Sequence, residues 1–154
     1  MVKNQIQSFR HAGIVVSNIK KTSDIFKNYL GLKLLMKEKI VKGKYISNLV
    51  GINNAKIKIT IFISIDNIKY ELLEYFNKKN SNKLLQSNNI GLSHLSLTVK
   101  NIDKLYNMRK NYNVKFVNSP IINKIDNVKV SYVKIMNEFI LELVEELWIL
   151  IKHY

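Results

Sequence analysis

The chain has 154 residues, of which 47% are hydrophobic, and this proportion is that of a folded globular protein rather than of a disordered chain. It contains no cysteine, which excludes disulfides, thiolate nucleophiles and sulfur-ligated metals. No signal peptide and no apolar run of about 18 residues is visible, so we expect a soluble, cytoplasmic protein without a membrane partner.

The formal net charge of +14 does not by itself indicate a nucleic-acid partner. The lysines are spread along the whole chain, and Arg10 and Arg109 are the only arginines. Proteins that read bases and phosphates specifically favour the arginine fork. We therefore expect a small-molecule substrate and no nucleic acid.

The first predicted element is a strand that leads into a helix. Its alternating apolar residues would face a helix; they are Ala12, Ile14 and Val16. His11 lies on the opposite face, which resembles the wall of a cavity because most of its side chains are small. Asn18 stands where a helix N-cap belongs, and Gly31 is a typical residue after a helix end.

Three strands are predicted after this helix, at about residues 33–41, 56–65 and 68–75. A short helix and loop should fill 43–55, and Asp66-Asn67 is a plausible tight turn. The first half of the chain therefore reads β-α-β-β-β, over about residues 8–76, and residues 77–90 are a natural linker.

The second half, about residues 91–146, repeats this order, and its first motif stands 83 residues after the matching motif of the first half. A strand beginning near His94 leads into a helix capped by Asn101. Pro120 suggests an edge or a strand end. Three strands and a turn at Asn137-Glu138 complete the half, and the strands lie at about 115–122, 127–136 and 139–146.

The repeat places one histidine and one glutamate at equivalent positions in each half. Two imidazoles and two carboxylates suit a borderline divalent metal such as Ni, Co, Zn, Fe or Mn. The candidate ligands are His11, Glu71, His94 and Glu142. Glu74 and Glu145 lie three residues after the two glutamates and so face the other side of each strand. Periodicity alone does not say which glutamate of each pair enters the cavity.

The sequence resembles the vicinal oxygen chelate superfamily, which includes glyoxalase I, methylmalonyl-CoA epimerase, extradiol dioxygenases and bleomycin or fosfomycin resistance proteins. The resemblance covers about residues 9–146. The motifs that carry it are His-Ala-Gly-Ile-Val-Val-Ser-Asn-Ile from His11, Tyr-Leu-Gly-Leu at 29–32, Tyr-Glu-Leu-Leu-Glu-Tyr at 70–75, Gly-Leu-Ser-His-Leu-Ser-Leu-Thr-Val from Gly91 and Leu-Glu-Leu-Val-Glu from Leu141.

The resemblance implies an α+β fold, in which two βαβββ modules form one cup-shaped mixed sheet within a single domain spanning residues 1–154. It also implies that the metal ligands are His11, Glu71, His94 and Glu142, with one divalent ion per site. Glu142 would act as the base and Glu71 would be the next candidate for that role. The implied activity is that of a lyase, isomerase or epimerase that stabilises an enediolate or enolate of a substrate with vicinal oxygens.

Two other functions stay open at the level of the sequence, an Fe(II)-dependent dioxygenase and a protein that sequesters a small molecule without chemistry. The chain differs from glutathione-dependent glyoxalases at Val15 and Tyr75, where that group carries arginine and asparagine. The tail, residues 147–154, is apolar over Leu147–Ile151 and needs cover, so we expect a homodimer, in which the cup lies within one chain or is swapped between two. His153 is expected to lie on the surface.

Overall fold

A computed structural model describes residues 8–77 and 94–147. The chain divides into two compact units, Met1–Lys79 and Asn80–Tyr154, which we call module one and module two. The boundary between them falls within the predicted linker 77–90, of which residues 78–90 lie outside the described ranges. The apolar tail beyond Leu147 and His153 also lie outside them, so the homodimer stays a prediction.

Module one has the predicted order of elements. Its strands hydrogen-bond in the order β1-β4-β3-β2, with β1 parallel to β4 and the other pairs antiparallel. The elements are β1 (Ala12–Val15), α1 (Ile19–Asp24) continued by a π-helical turn (Ile25–Tyr29), β2 (Lys33–Lys42), α2 (Lys44–Val50), β3 (Lys56–Ile63) and β4 (Lys69–Tyr75).

Module two repeats this topology with one additional strand. Its strands hydrogen-bond in the order β5-β9-β8-β6, and β7 pairs with another part of β8. Again the first strand is parallel to the last. The elements are β5 (Leu95–Thr98), α3 (Ile102–Met108) continued by a 3₁₀ turn (Arg109–Asn111), β6 (Val114–Phe116), β7 (Ile121–Asn123), β8 (Val128–Ile135) and β9 (Phe139–Glu146).

The predicted α+β class with two βαβββ modules is confirmed. The strands described form one mixed sheet in each module, of four and five strands, where the sequence predicted eight strands in a single sheet. The prediction of one strand over 115–122 is wrong, because β6 ends at Phe116 and β7 begins only at Ile121. Pro120 lies in the gap, where its missing N–H disturbs no ladder bond.

The helices begin as the sequence predicted. The side-chain oxygen of Asn18 accepts the backbone N–H of Lys21 at 2.9 Å, and Asn101 accepts that of Lys104 at 2.7 Å. Each cap satisfies a donor that has no partner within the helix. No helix in the described part of the chain is both long and apolar enough to cross a membrane.

In each module the helical segment that follows the first strand packs on the apolar face of the sheet, whereas α2 buries no residue. In module one the ring of Phe26 contacts those of Phe62 and Tyr70, with centroids 5.6 Å and 6.3 Å apart. In module two Ile102 on α3 and Leu143 on β9 are fully buried. The histidine of each module lies on the opposite face of the sheet, which this helix does not cover.

Candidate functional site

In module one, His11 and Glu71 lie side by side at the junction of β1 and β4. The parallel register places Gly13 opposite Glu71, and His11 precedes Gly13 by two residues, so it shares that face. Nε2 of His11 is 3.5 Å from Oε2 of Glu71. The two side chains are 41% and 22% exposed, so solvent and small molecules reach both.

Module two builds the same pair from β5 and β9. Ser96 stands opposite Glu142, and His94 precedes Ser96 by two residues. Nε2 of His94 is 3.6 Å from Oε2 of Glu142, and the side chains are 29% and 26% exposed. The two modules therefore hold their histidine and glutamate in nearly the same geometry.

The structure distinguishes the two glutamates of each last strand, which the sequence pattern left open. Glu74 accepts the backbone N–H of Ile19 at 2.8 Å, at the start of α1. Glu145 accepts that of Ile102 at 2.7 Å, at the start of α3. These carboxylates lie on the helix side of their sheets, where their negative charge interacts favourably with the partial positive charge at the helix N-terminus. The earlier glutamate of each pair, as the resemblance implied, faces the histidine.

Tyr132 is a site residue that the sequence analysis missed. It stands opposite Glu142 in the β8–β9 pair, and its ring lies against that of His94, with centroids 4.8 Å apart and planes inclined by 38°. In module one the position opposite Glu71 is occupied by Ile61. The two histidine–glutamate pairs therefore differ in the side chain that stands opposite the glutamate.

Tyr132 could have been identified from the sequence only with the correct register of the β8–β9 hairpin. Ile135 pairs with Phe139, and Met136 and Asn137 both have positive φ, so the turn begins one residue earlier than the predicted Asn137-Glu138 turn. A shift of one residue moves every side chain to the opposite face. With the later turn, Val133 rather than Tyr132 would have stood beside Glu142.

The donor sets of both modules fit a divalent metal ion. Two ligand atoms that each lie about 2.1 Å from one ion are about 3 to 3.4 Å apart, close to the separations within the two pairs. Within either module no third His, Asp or Glu among the residues described joins the pair. Each pair thus offers one imidazole nitrogen and one carboxylate as possible ligands.

The comparisons with known proteins agree with this architecture. The model of the Glyoxalase/Bleomycin resistance protein/Dioxygenase superfamily matches residues 10–132. A glyoxalase family protein from Bacillus cereus has a TM-score of 0.85 at 19% identity, over 96% of this chain and 99% of that one. A glyoxalase/dioxygenase from Nostoc punctiforme has a TM-score of 0.69 at 13% identity, over 95% of each chain.

A third similar structure is that of the fosfomycin resistance protein FosX from Listeria monocytogenes, in complex with Mn(II) and a sulfate ion. Its TM-score is 0.58 at 13% identity, over 92% of this chain and 93% of that one. No curated protein sequence matches the chain. The sequence identities are low, but the structural similarities extend over nearly the whole chain. They therefore establish its fold.

Proposed function

Because the chain belongs to the glyoxalase/bleomycin resistance/dioxygenase superfamily, we propose that it is a metal-dependent lyase or isomerase of the glyoxalase type. Its substrate would be a small molecule with two neighbouring oxygens. The observation that carries the proposal is the histidine–glutamate pair, which recurs at 3.5 Å and 3.6 Å in the two modules. The chain has three histidines, and two of them form this pair at equivalent positions of the repeat.

The proposed ligands of one divalent ion are His11, Glu71, His94 and Glu142. Neutral imidazoles and carboxylates together suit Ni, Co, Zn, Fe or Mn, and four protein ligands leave coordination positions for a substrate. A bound ion would draw electron density from the substrate oxygens and so stabilise the enediolate or enolate left by loss of a proton.

The proton itself would be handled by a carboxylate of this chain. Glu142 is the proposed base, because its half-buried carboxylate on β9 lies beside His94 and is still reached by solvent. It would accept the proton from the carbon next to the substrate carbonyl and return it to a neighbouring atom. Glu71 occupies the equivalent position in module one and is the next candidate.

A set of three variants tests this assignment. Glu142→Gln keeps an oxygen that can coordinate a metal but cannot accept a proton at neutral pH, so turnover should fall about 10²- to 10⁴-fold while much of the metal remains. His94→Ala removes a ligand, so metal content and turnover should fall together. The measurements are elemental analysis and assays on methylglyoxal–thiol adducts and on acyl-CoA epimers.

Glu145→Gln is the matched control, since it makes the same chemical change three residues further along β9. An amide oxygen can still accept the N–H of Ile102, so the fold should be retained. Full turnover is expected for this variant. If it proves as damaging as Glu142→Gln, or if the purified protein binds no divalent metal, the proposal is wrong.

A further inference from the structure

Module one contains an open pocket of about 570 Å³ at the end of the β2–β3 hairpin, where α2 is inserted. Its lining includes Lys42, Lys44 and Lys56 and no aspartate or glutamate. The three lysines form no ion pair with any residue of the described ranges. A concave surface that is lined by lysines and lacks acidic residues attracts anions.

The remaining polar lining consists of hydrogen-bonding groups rather than charges. Asn48, Asn53 and Asn54 belong to the lining, and their side chains carry amide donors. No aromatic side chain and no arginine belongs to the lining, so the pocket offers no stacking platform for a base. This composition suits a compact anion that accepts several hydrogen bonds.

The wall of the pocket is held in place by Ser47. Its hydroxyl donates to the carbonyl of Gly43 at 3.0 Å and accepts the N–H of Ala55 at 3.1 Å, so it ties the two ends of the segment together. The ammonium of Lys56 is placed 4.3 Å from the centre of the Phe76 ring. A ligand would therefore meet a wall whose backbone is already fixed by Ser47, which lowers the entropic cost of binding.

The pocket is distinct from the His11–Glu71 pair. Ile61 is opposite Glu71 on the face of that pair, and Lys56 precedes Ile61 by five residues, so its side chain points to the other face. Lys42 pairs with Lys56 and shares its face. Along β3 the two positions are about 17 Å apart. A small substrate on the metal-site face would not reach this pocket.

We propose that this pocket binds a phosphate group, either free or as part of a small phosphorylated molecule, at a second site separate from the histidine–glutamate face. Lysine is a common point-charge partner of phosphate, and the asparagine amides can donate to the remaining oxygens. Inorganic phosphate and a phosphate ester share this chemistry and differ only in the group outside the pocket. A nucleic-acid backbone is disfavoured by the concave shape and by the lack of arginine and aromatic side chains.

The test is calorimetric titration of the full-length protein with inorganic phosphate and with glycerol 3-phosphate, at a constant ionic strength of about 0.15 M. The double variant Lys42→Gln/Lys44→Gln should weaken phosphate binding by about tenfold or more, because each lost charge-assisted contact is a large part of a weak binding energy. Tighter binding of the ester than of inorganic phosphate would identify the ester as the ligand. Tighter binding of inorganic phosphate would identify the free anion, and either result supports the proposal.

The control is Lys20→Gln/Lys27→Gln, which removes two exposed lysines from the first helical segment and lowers the net charge equally. It should keep the phosphate affinity within about twofold. Equal losses in both double variants would overturn the proposal, as would no phosphate binding by the unmodified protein at millimolar concentration. Loss of phosphate binding in His11→Ala would also overturn the proposal. The same holds if a single-stranded oligonucleotide binds through Lys42 and Lys44 while neither small ligand binds.

Discussion

The last strand of each module uses two glutamates for opposite purposes. On β9, Glu142 faces His94, while Glu145 accepts the N–H of Ile102 at the start of α3. The hydrogen bond of Glu145 thus connects β9, which carries the candidate ligand Glu142, to α3, which follows the strand after His94. The same holds on β4 for Glu71 and Glu74, so the repeat conserves both roles within one chain.

Tyr132 should orient the His94 ring and so strengthen the proposed binding of a metal ion. Aromatic pairs contribute about 0.5–1.5 kcal/mol beyond their buried area, so we expect Tyr132→Ile to weaken metal affinity about 2- to 10-fold. Isoleucine is the residue that module one places at the equivalent position. The measurement is competition for the metal with a chelator of known affinity.

Tyr132→Phe is the control for this prediction, because it keeps the ring and removes only the hydroxyl. We expect its metal affinity to equal that of the unmodified protein. A loss of affinity in Tyr132→Phe equal to that in Tyr132→Ile would show that the hydroxyl, and not the ring contact, supports His94.

At the scale of elements, one buried hydroxyl in each module serves a backbone carbonyl where strand pairing is irregular. Thr60 Oγ1 donates to the carbonyl of Met36 at 2.7 Å, where the register between β2 and β3 shifts. Ser131 Oγ donates to that of Asn118 at 3.0 Å, in the gap between β6 and β7. Thr60 and Ser131 are both nearly fully buried. Each hydroxyl therefore gives a hydrogen-bond donor to a backbone carbonyl at a point where the strand pairing is irregular.

Thr60→Val should therefore lower the free energy of unfolding by about 1–3 kcal/mol. The substitution keeps the shape of the side chain but leaves the Met36 carbonyl without its donor. Thr98→Val, on an exposed position of β5, should change the free energy by less than about 0.5 kcal/mol. Urea unfolding followed by circular dichroism measures both, and equal effects would show that the hydroxyl of Thr60 has no special role.

Most elements could be predicted from alternation and turn residues, because strands with one buried face carry a clear period of two. The predicted runs 33–41, 56–65, 68–75, 127–136 and 139–146 agree with β2, β3, β4, β8 and β9 to within two residues at each end. The gap between β6 and β7 was missed, because residues 115–122 remain rich in β-forming side chains on both sides of Pro120. Local β propensity does not indicate which backbone groups form hydrogen bonds to a neighbouring strand.

The candidate site was predictable in part for a similar reason. Equivalent positions in the repeat identified His11 and His94, since self-similarity is visible without any coordinates. Which glutamate faces each histidine depends on where the helix packs, and Glu74 and Glu145 are indistinguishable from the other two by composition. The pairing of Tyr132 with Glu142 depends on a turn placed to within one residue.

At the scale of the whole molecule, the proposed shared ion should link the stabilities of the two modules. A ligand present at about a thousand times its Kd stabilises the folded state by about 4 kcal/mol. For a chain of this size that corresponds to a shift in Tm on the order of 10 °C, which a strong chelator should remove. Differential scanning calorimetry with and without the chelator measures the shift.

Counting the ions in variants of each module tests whether one ion is shared. The unmodified protein should carry one ion per chain. His11→Ala and His94→Ala, one in each module, should each lose nearly all of it, because the three remaining ligands hold a divalent ion far more weakly than four. Their Tm values should no longer respond to the chelator, and the double variant should show no further loss. Glu145→Gln should retain both the ion and the response. Two ions per chain in the unmodified protein, with one left in each single variant, would instead mean that each histidine–glutamate pair binds an ion of its own.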